Sequence, residues 1–240
     1  MKYLDHLKEL RNRLLLSFFF LIISFTFFFY NSSYIGEFLT QPLFDLFNKT
    51  ENKRMIFTAL PEVFVSNLRI SLFASLIVSF PFFIIQFVSF VSPALYKNEK
   101  KVFYPVFFLI PILFLFGVVF AYYLLIPVIW SFFFSFENFL QTGLPLELES
   151  RYSEYMKFSM FLLFTSGLSF EFPILLILLT KLKILNLKIL TKNRKYFFIG
   201  ILIFSAIFTP PDIISQLGIA IPLIIFYEFS IIFIYFFIKN

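Results

Sequence analysis

Residues 14–30 carry no charge, and five further stretches of the chain are nearly as apolar. A helix needs about 20 apolar residues to cross roughly 30 Å of hydrocarbon. Six such stretches leave few alternatives to a chain threaded repeatedly through a bilayer. They fall at 14–30, 70–91, 102–136, 155–180, 196–208 and 213–238. A cleaved signal peptide is the rival reading of the first. No small-residue cleavage site follows it, only Asn31-Ser32-Ser33-Tyr34. Composition supports the same class, with 60% hydrophobic residues, 14% charged and a mean hydropathy of +0.90. A soluble domain carries roughly a quarter charged residues. The expected fold is an all-α membrane protein of six transmembrane helices, one translocating domain over residues 1–240, with no internal repeat.

The third stretch is longer than a bilayer is thick, and Pro105, Pro111 and Pro127 are placed to bend it. Pro81 does the same in the second. The fifth holds about 13 residues, near 20 Å, so the bilayer must thin or the protein must shield its ends. Between the fifth and sixth stands Thr209-Pro210-Pro211-Asp212, an external turn with Asp212 as N-cap. In the first external loop, Phe38, Leu39, Leu43, Phe44 and Phe47 predict an amphipathic helix.

Six spans put both termini on one side, and the basic residues choose the side. Lys2, Lys8, Arg11, Arg13, Lys97, Lys100, Lys101, Lys181, Lys183, Lys188, Lys192, Arg194, Lys195 and Lys239 fall on one face, against Lys49, Lys53, Arg54, Arg69, Arg151 and Lys157 on the other. The termini are therefore expected in the cytoplasm, or on the matrix or stromal side of an organelle membrane. This placement accounts for the net charge of +6 without a nucleic-acid partner. The chain lacks Cys and has one His, His6. No thiol chemistry, His-rich metal site or His-based triad can be built from it, and no Gly-rich phosphate loop is present. No metal or cofactor is expected, and the chain is not expected to be an enzyme.

Polar residues interrupt the apolar pattern in five places. In the N-terminal segment, Leu7, Leu10 and Leu14 share one helical face, while Asp5, Glu9 and Arg13 share another. Glu9 and Arg13 are spaced for an i,i+4 ion pair. Phe90 to Lys101 forms a basic loop in which Glu99 is the lone acid. Glu171 lies about 15 Å from Lys181 along a helix, close to mid-membrane. A carboxylate there must be neutral, paired, or facing a wet cavity. A structural hydrogen bond to another helix is the alternative. Gln216 sits one turn inside the sixth span, where its amide needs a partner. Glu228 lies near the inner interface, in reach of water.

These motifs, in this order, resemble TatC, the large subunit of the twin-arginine protein translocase. The resemblance is carried by His6-Leu7-Lys8-Glu9-Leu10-Arg11-Asn12-Arg13-Leu14 and by residues 90–99. It continues through Phe116-Gly117, Phe120-Ala121-Tyr122-Tyr123, Pro127 and Phe170-Glu171-Phe172-Pro173. It ends in Arg194-Lys195-Tyr196, Thr209-Pro210-Pro211-Asp212, Gln216, Pro222 and Tyr227-Glu228. It implies a concave bundle whose last two helices are short. It implies that Glu9, Arg11, Arg13, Phe90 and Glu99 bind the twin-arginine motif of signal peptides on folded substrates. Glu171 would face the cavity, and Thr209 and Gln216 would meet single-span partner subunits of the TatA/TatB type in a multimeric complex. Export would be driven by the protonmotive force, in the bacterial cytoplasmic membrane or in a mitochondrial inner or thylakoid membrane. Two acids suit two arginines, because a guanidinium forks onto a carboxylate as Lys cannot. Two features depart from the family. The small residue usual after the fourth span is replaced near Lys183, and the tail beyond the sixth is nearly absent. A proton-coupled small-molecule or ion transporter using Glu171 is the alternative function.

Overall fold

The computed structural model describes residues 2–47, 54–94, 97–136, 149–209 and 212–237, with the backbone alone at 2–4, 47, 94, 97–99, 101–102 and 237. Among these, all regular structure is helical, apart from one isolated parallel bridge between Ile56 and Arg151. The helices are α1 (Lys2–Tyr30), α2 (Ser32–Phe47), α3 (Glu62–Val91), α4 (Lys97–Phe120), α5 (Ile126–Ser135), α6 (Tyr152–Phe170), α7 (Phe172–Lys181), α8 (Leu187–Lys192), α9 (Arg194–Ile207) and α10 (Ile213–Phe237). Five runs among the described residues are long and apolar enough to cross a membrane: Asp5–Tyr30, Glu62–Val91, Phe103–Ser135, Tyr152–Lys181 and Ile213–Phe236. They match five of the six expected spans. The fifth expected span, α9, has 14 residues, so it is as short as the sequence predicts. α10 is not short: it runs 25 residues, the length that its apolar stretch implies rather than the one that the resemblance implies.

The chain forms two compact units. The first holds Met1–Ile112 and Glu149–Met160, the second Leu113–Leu148 and Phe161–Asn240. In the first unit, α1 packs along α3. The contact is close because α3 turns small residues inward: Ser66, Ser71, Ser75 and Ser79 are buried, and Ser71 Oγ donates to the Phe28 carbonyl at 3.3 Å. Pro81 lies inside α3 without ending it. The predicted amphipathic helix is α2. Leu39 and Leu43 are buried, and Phe38 and Phe44 face outward. The Tyr155 hydroxyl, itself buried, donates to the Leu39 carbonyl at 2.7 Å.

The start of α3 is tied to the segment before α6. The Glu62 carboxylate accepts from the Thr58 and Ala59 backbone N–H groups at 2.8 and 3.2 Å, and from Ser153 Oγ at 2.6 Å. Arg151 lies 3.5 Å from Glu62 and 3.1 Å from Glu154, and also donates to Thr58 Oγ1. An acid in the first turn that reaches back to the preceding N–H groups satisfies donors the helix cannot.

In the second unit, α10 packs against α7, α8, α9 and α5. Pro105 and Pro111 sit inside α4 without breaking it. The long third run changes winding at Ala121–Leu125, a π turn just before Pro127. Proline lacks the N–H that the preceding turn needs, and the wider π turn absorbs the misfit. At Gly117 a side chain would stand 2.6 Å from the Ser166 carbonyl, and Ser166 Oγ donates to the Gly117 carbonyl at 2.8 Å. Only glycine lets these two backbones approach so closely.

Candidate functional site

The first candidate site grows from the N-terminal turns of α1. The i,i+4 spacing places Glu9 against Arg13, and the pair forms as expected. Arg13 Nη2 and Nε both donate to Glu9 Oε1, at 2.7 and 2.9 Å. Arg13 Nη1 also reaches Gln86 Oε1 on α3, at 3.3 Å. The guanidinium is therefore held between two helices. Because both of its bonds to Glu9 fall on one oxygen, Glu9 Oε2 is left facing His6 Nδ1, at 3.9 Å, among the described residues. The imidazole of His6 stacks on Phe90, with ring centroids 4.3 Å apart and planes 14° from parallel. A cleft of about 590 Å³ opens here, lined by Asp5, Lys8, Glu9, Asn12, Arg13, Leu16 and Gln86.

The geometry brings together Glu9, Arg13 and, through His6, Phe90. It does not bring in Arg11, whose guanidinium is exposed and reaches only its neighbour Asn12, at 3.3 Å. The Glu99 carboxylate lies outside the described residues. Two participants escaped the sequence reading. Gln86 is the only amide in an uncharged apolar stretch, and that was a usable signal. His6 was legible only as the single histidine, since its stacking depends on the approach of α1 to α3.

The second candidate site lies within the second unit, at the break between α6 and α7. Pro173 cannot donate to the preceding turn and displaces the carbonyl four residues back, so the helix stops and restarts at Glu171. Both Glu171 carboxylate oxygens are buried, and neither makes a hydrogen bond of normal geometry. The backbone N–H of Phe114 on α4 does interact with the carboxylate, outside that geometry. Glu171 lines a cavity of about 710 Å³, together with Leu168, Ser169, Phe172, Leu175, Tyr196, Phe197, Gly200, Ile201, Phe204 and Leu223. At Gly200 an added side chain would meet nothing within 4 Å. A lone carboxylate in an otherwise apolar cavity can offer a proton or accept one hydrogen bond from whatever enters.

The other polar positions close helix ends or fasten one helix to another. Asp212 caps α10 as expected, accepting from the Ser215 N–H at 2.7 Å. Pro210 and Pro211 lie outside the described residues. Thr209 Oγ1 donates to the Ser205 carbonyl at 2.8 Å. The Gln216 amide finds its partner in the Leu202 carbonyl of α9, at 3.1 Å. Glu228 pairs with Arg194 at 3.0 Å, and Tyr227 Oη donates to the Leu190 carbonyl at 2.7 Å. The last three bonds tie α8 to α10, and α9 to α10 at its start and near its middle. No group of three or more His, Cys, Asp or Glu able to hold a metal occurs among the described residues.

Residues 5–222 match the family model described as Sec-independent protein translocase protein (TatC). The chain is 39% identical to the Sec-independent protein translocase protein TatC of Rickettsia prowazekii, over 95% of this chain and 90% of that protein. It is 30% identical to the protein of the same description from Escherichia coli, over 98% and 88%. Among solved structures it is similar to one described as the twin arginine translocase receptor TatC in DDM. That similarity has a TM-score of 0.77 and 32% identity, and covers 95% of this chain and 98% of the other.

Proposed function

Because the chain belongs to the TatC family of Sec-independent protein translocase proteins, we propose that it reads the twin-arginine motif of signal peptides at the cleft between α1 and α3. It is a multi-pass membrane protein and a translocase component, a transport protein. The observation that carries the reading is the uneven use of Glu9. Arg13 occupies one carboxylate oxygen and leaves the other facing a polar cleft. A free oxygen on a placed carboxylate is what an incoming guanidinium needs. Arg13 does not compete for it, because Gln86 helps hold that side chain back. Phe90, stacked on His6, offers an apolar wall beside the charge. Glu99 is the second acid of the proposal. Arg11, exposed and not among the residues that line the cleft, contributes to the surrounding positive surface rather than to recognition.

The wider reading follows the family. The chain would be the receptor and core of an assembly with single-span Tat subunits, exporting folded proteins across a bacterial cytoplasmic or organelle inner membrane by the protonmotive force. Thr209 and Gln216 would meet those subunits. Gln216 keeps its Oε1 available for this, although its amide nitrogen is engaged.

The test is crosslinking of a photoreactive twin-arginine signal peptide to membranes carrying Glu9→Ala, Glu99→Ala or Arg11→Ala. Losing a charge-assisted hydrogen bond worth roughly 1.5–3 kcal/mol should cut the yield about tenfold or more for each acid. Arg11→Ala should retain most of it. Wild-type yield in both acid variants, at equal protein level, would remove the cleft from recognition.

A further inference from the structure

Within the first unit, a second groove runs between α1 and α3 at the end away from the Glu9 cleft. It measures about 420 Å³ and is lined by Leu21, Ile22, Phe25, Leu68, Arg69 and Leu72. Ile22 is 59% exposed and Leu72 45%, so the groove opens outward. Arg69 lies seven residues from Glu62, about 10 Å along α3. Phe25 lies six residues from Asn31, about 9 Å along α1. Arg69 thus stands about two turns into α3 and just ahead of the apolar stretch at 70–91, at the mouth of a hydrocarbon-lined slot.

A cation at the edge of an apolar span stands at headgroup level, where an anion is the partner that suits it. Among the described residues no carboxylate lies within ion-pair distance of Arg69, and the acid that begins its own helix is taken. Glu62 is engaged by Thr58, Ala59, Ser153 and Arg151. The site lacks an anion and offers an apolar channel beside the cation.

We infer that this groove binds one anionic glycerophospholipid, with its phosphate on Arg69 and an acyl chain lying along Leu21, Phe25, Leu68 and Leu72. A phospholipid carries its anion and its hydrocarbon in the order the groove presents them. A neighbouring helix would have to bring an acid to the edge of its own apolar span to satisfy the same guanidinium. A zwitterionic lipid matches less well, because its headgroup amine would find no free carboxylate beside Arg69. The volume lies within the range of built ligand clefts. The inference does not depend on signal-peptide recognition.

The experiment is native mass spectrometry of the purified, delipidated full chain, titrated with phosphatidylglycerol or with phosphatidylcholine of identical acyl chains. Wild type should retain phosphatidylglycerol in preference to phosphatidylcholine. Arg69→Gln should weaken the phosphatidylglycerol adduct about tenfold, as the loss of a charge-assisted hydrogen bond predicts. Arg69→Lys should keep most of it. Leu72→Trp, which fills the slot and leaves Arg69 in place, should lose it too, so the result does not depend on one variant folding. Glycerol phosphate, which has no acyl chains, should not compete. Equal phosphatidylglycerol binding by wild type and Arg69→Gln would overturn the inference. So would equal binding of the two lipids, full competition by glycerol phosphate, or a second copy of the chain retained in place of lipid.

Discussion

Glu171 is the residue at which sequence and structure can be weighed most directly. Its depth was legible from the spacing to Lys181, and so was the demand that it be neutral, paired or facing a cavity. The cavity was not legible, because it is made by α7, α9 and α10 coming together around Gly200. The contact of the carboxylate with the Phe114 N–H falls outside normal hydrogen-bond geometry, so removing it costs little. Both Glu171→Gln and Glu171→Leu should therefore melt no lower than wild type in detergent, while export of a twin-arginine reporter falls. A carboxylate that fastened two helices would instead cost roughly 1–3 kcal/mol on becoming Leu. Lower melting, with export lost only in proportion to protein level, would return Glu171 to a structural role. Gln216 was read correctly as an amide in need of a partner. Its partner is a backbone carbonyl, which no side-chain pattern in the sequence could reveal.

At the scale of elements, the apolar runs located the helices well, but prolines were poor guides to where they bend. Pro81, Pro105 and Pro111 stay inside regular helix, whereas Pro127 and Pro173 coincide with a π turn and a break. Tertiary packing decides which proline is absorbed, and packing is not a local property of sequence. The end of α7 was legible in a subtler way. The missing small residue near Lys183 coincides with a backbone φ of 59°, the left-handed conformation that glycine adopts freely. The Ile184 N–H reaches back to the Leu179 carbonyl at 3.0 Å, so this residue closes the helix. Lys183→Gly should raise stability by about 1 kcal/mol, since a side chain in that conformation costs of order 1–2 kcal/mol. An unchanged or lower melting midpoint would show that the lysine side chain makes a compensating contact.

Over the whole molecule, the positive-inside count predicts an orientation. Lys188, on α8, and Glu149, just before α6, should lie on opposite sides. With cysteines introduced singly into this cysteine-free chain, an impermeant thiol reagent added to intact cells should label position 149 and spare 188. The reverse pattern would invert the topology. The order of the spans was readable because each must satisfy its own backbone in lipid. The grouping into two units was not, because it depends on contacts between residues far apart in sequence.

Helix α9 reaches about 21 Å, well short of a hydrocarbon layer of about 30 Å. It is also tied to α10 by Gln216 at Leu202, just past its middle, and by Glu228 with Arg194 at its first residue, so it cannot slide to share the difference. The surrounding lipid must absorb it as elastic strain, at a fraction of a kcal/mol per Å. Such strain acts at a distance and without chemical specificity. It gathers thin-membrane lipids, and it favours any neighbour whose own span is equally short. In bilayers of decreasing acyl length the melting midpoint should therefore rise until the hydrocarbon matches α9 and then fall. A midpoint that climbs steadily with thickness would mean that the five longer runs set the match instead.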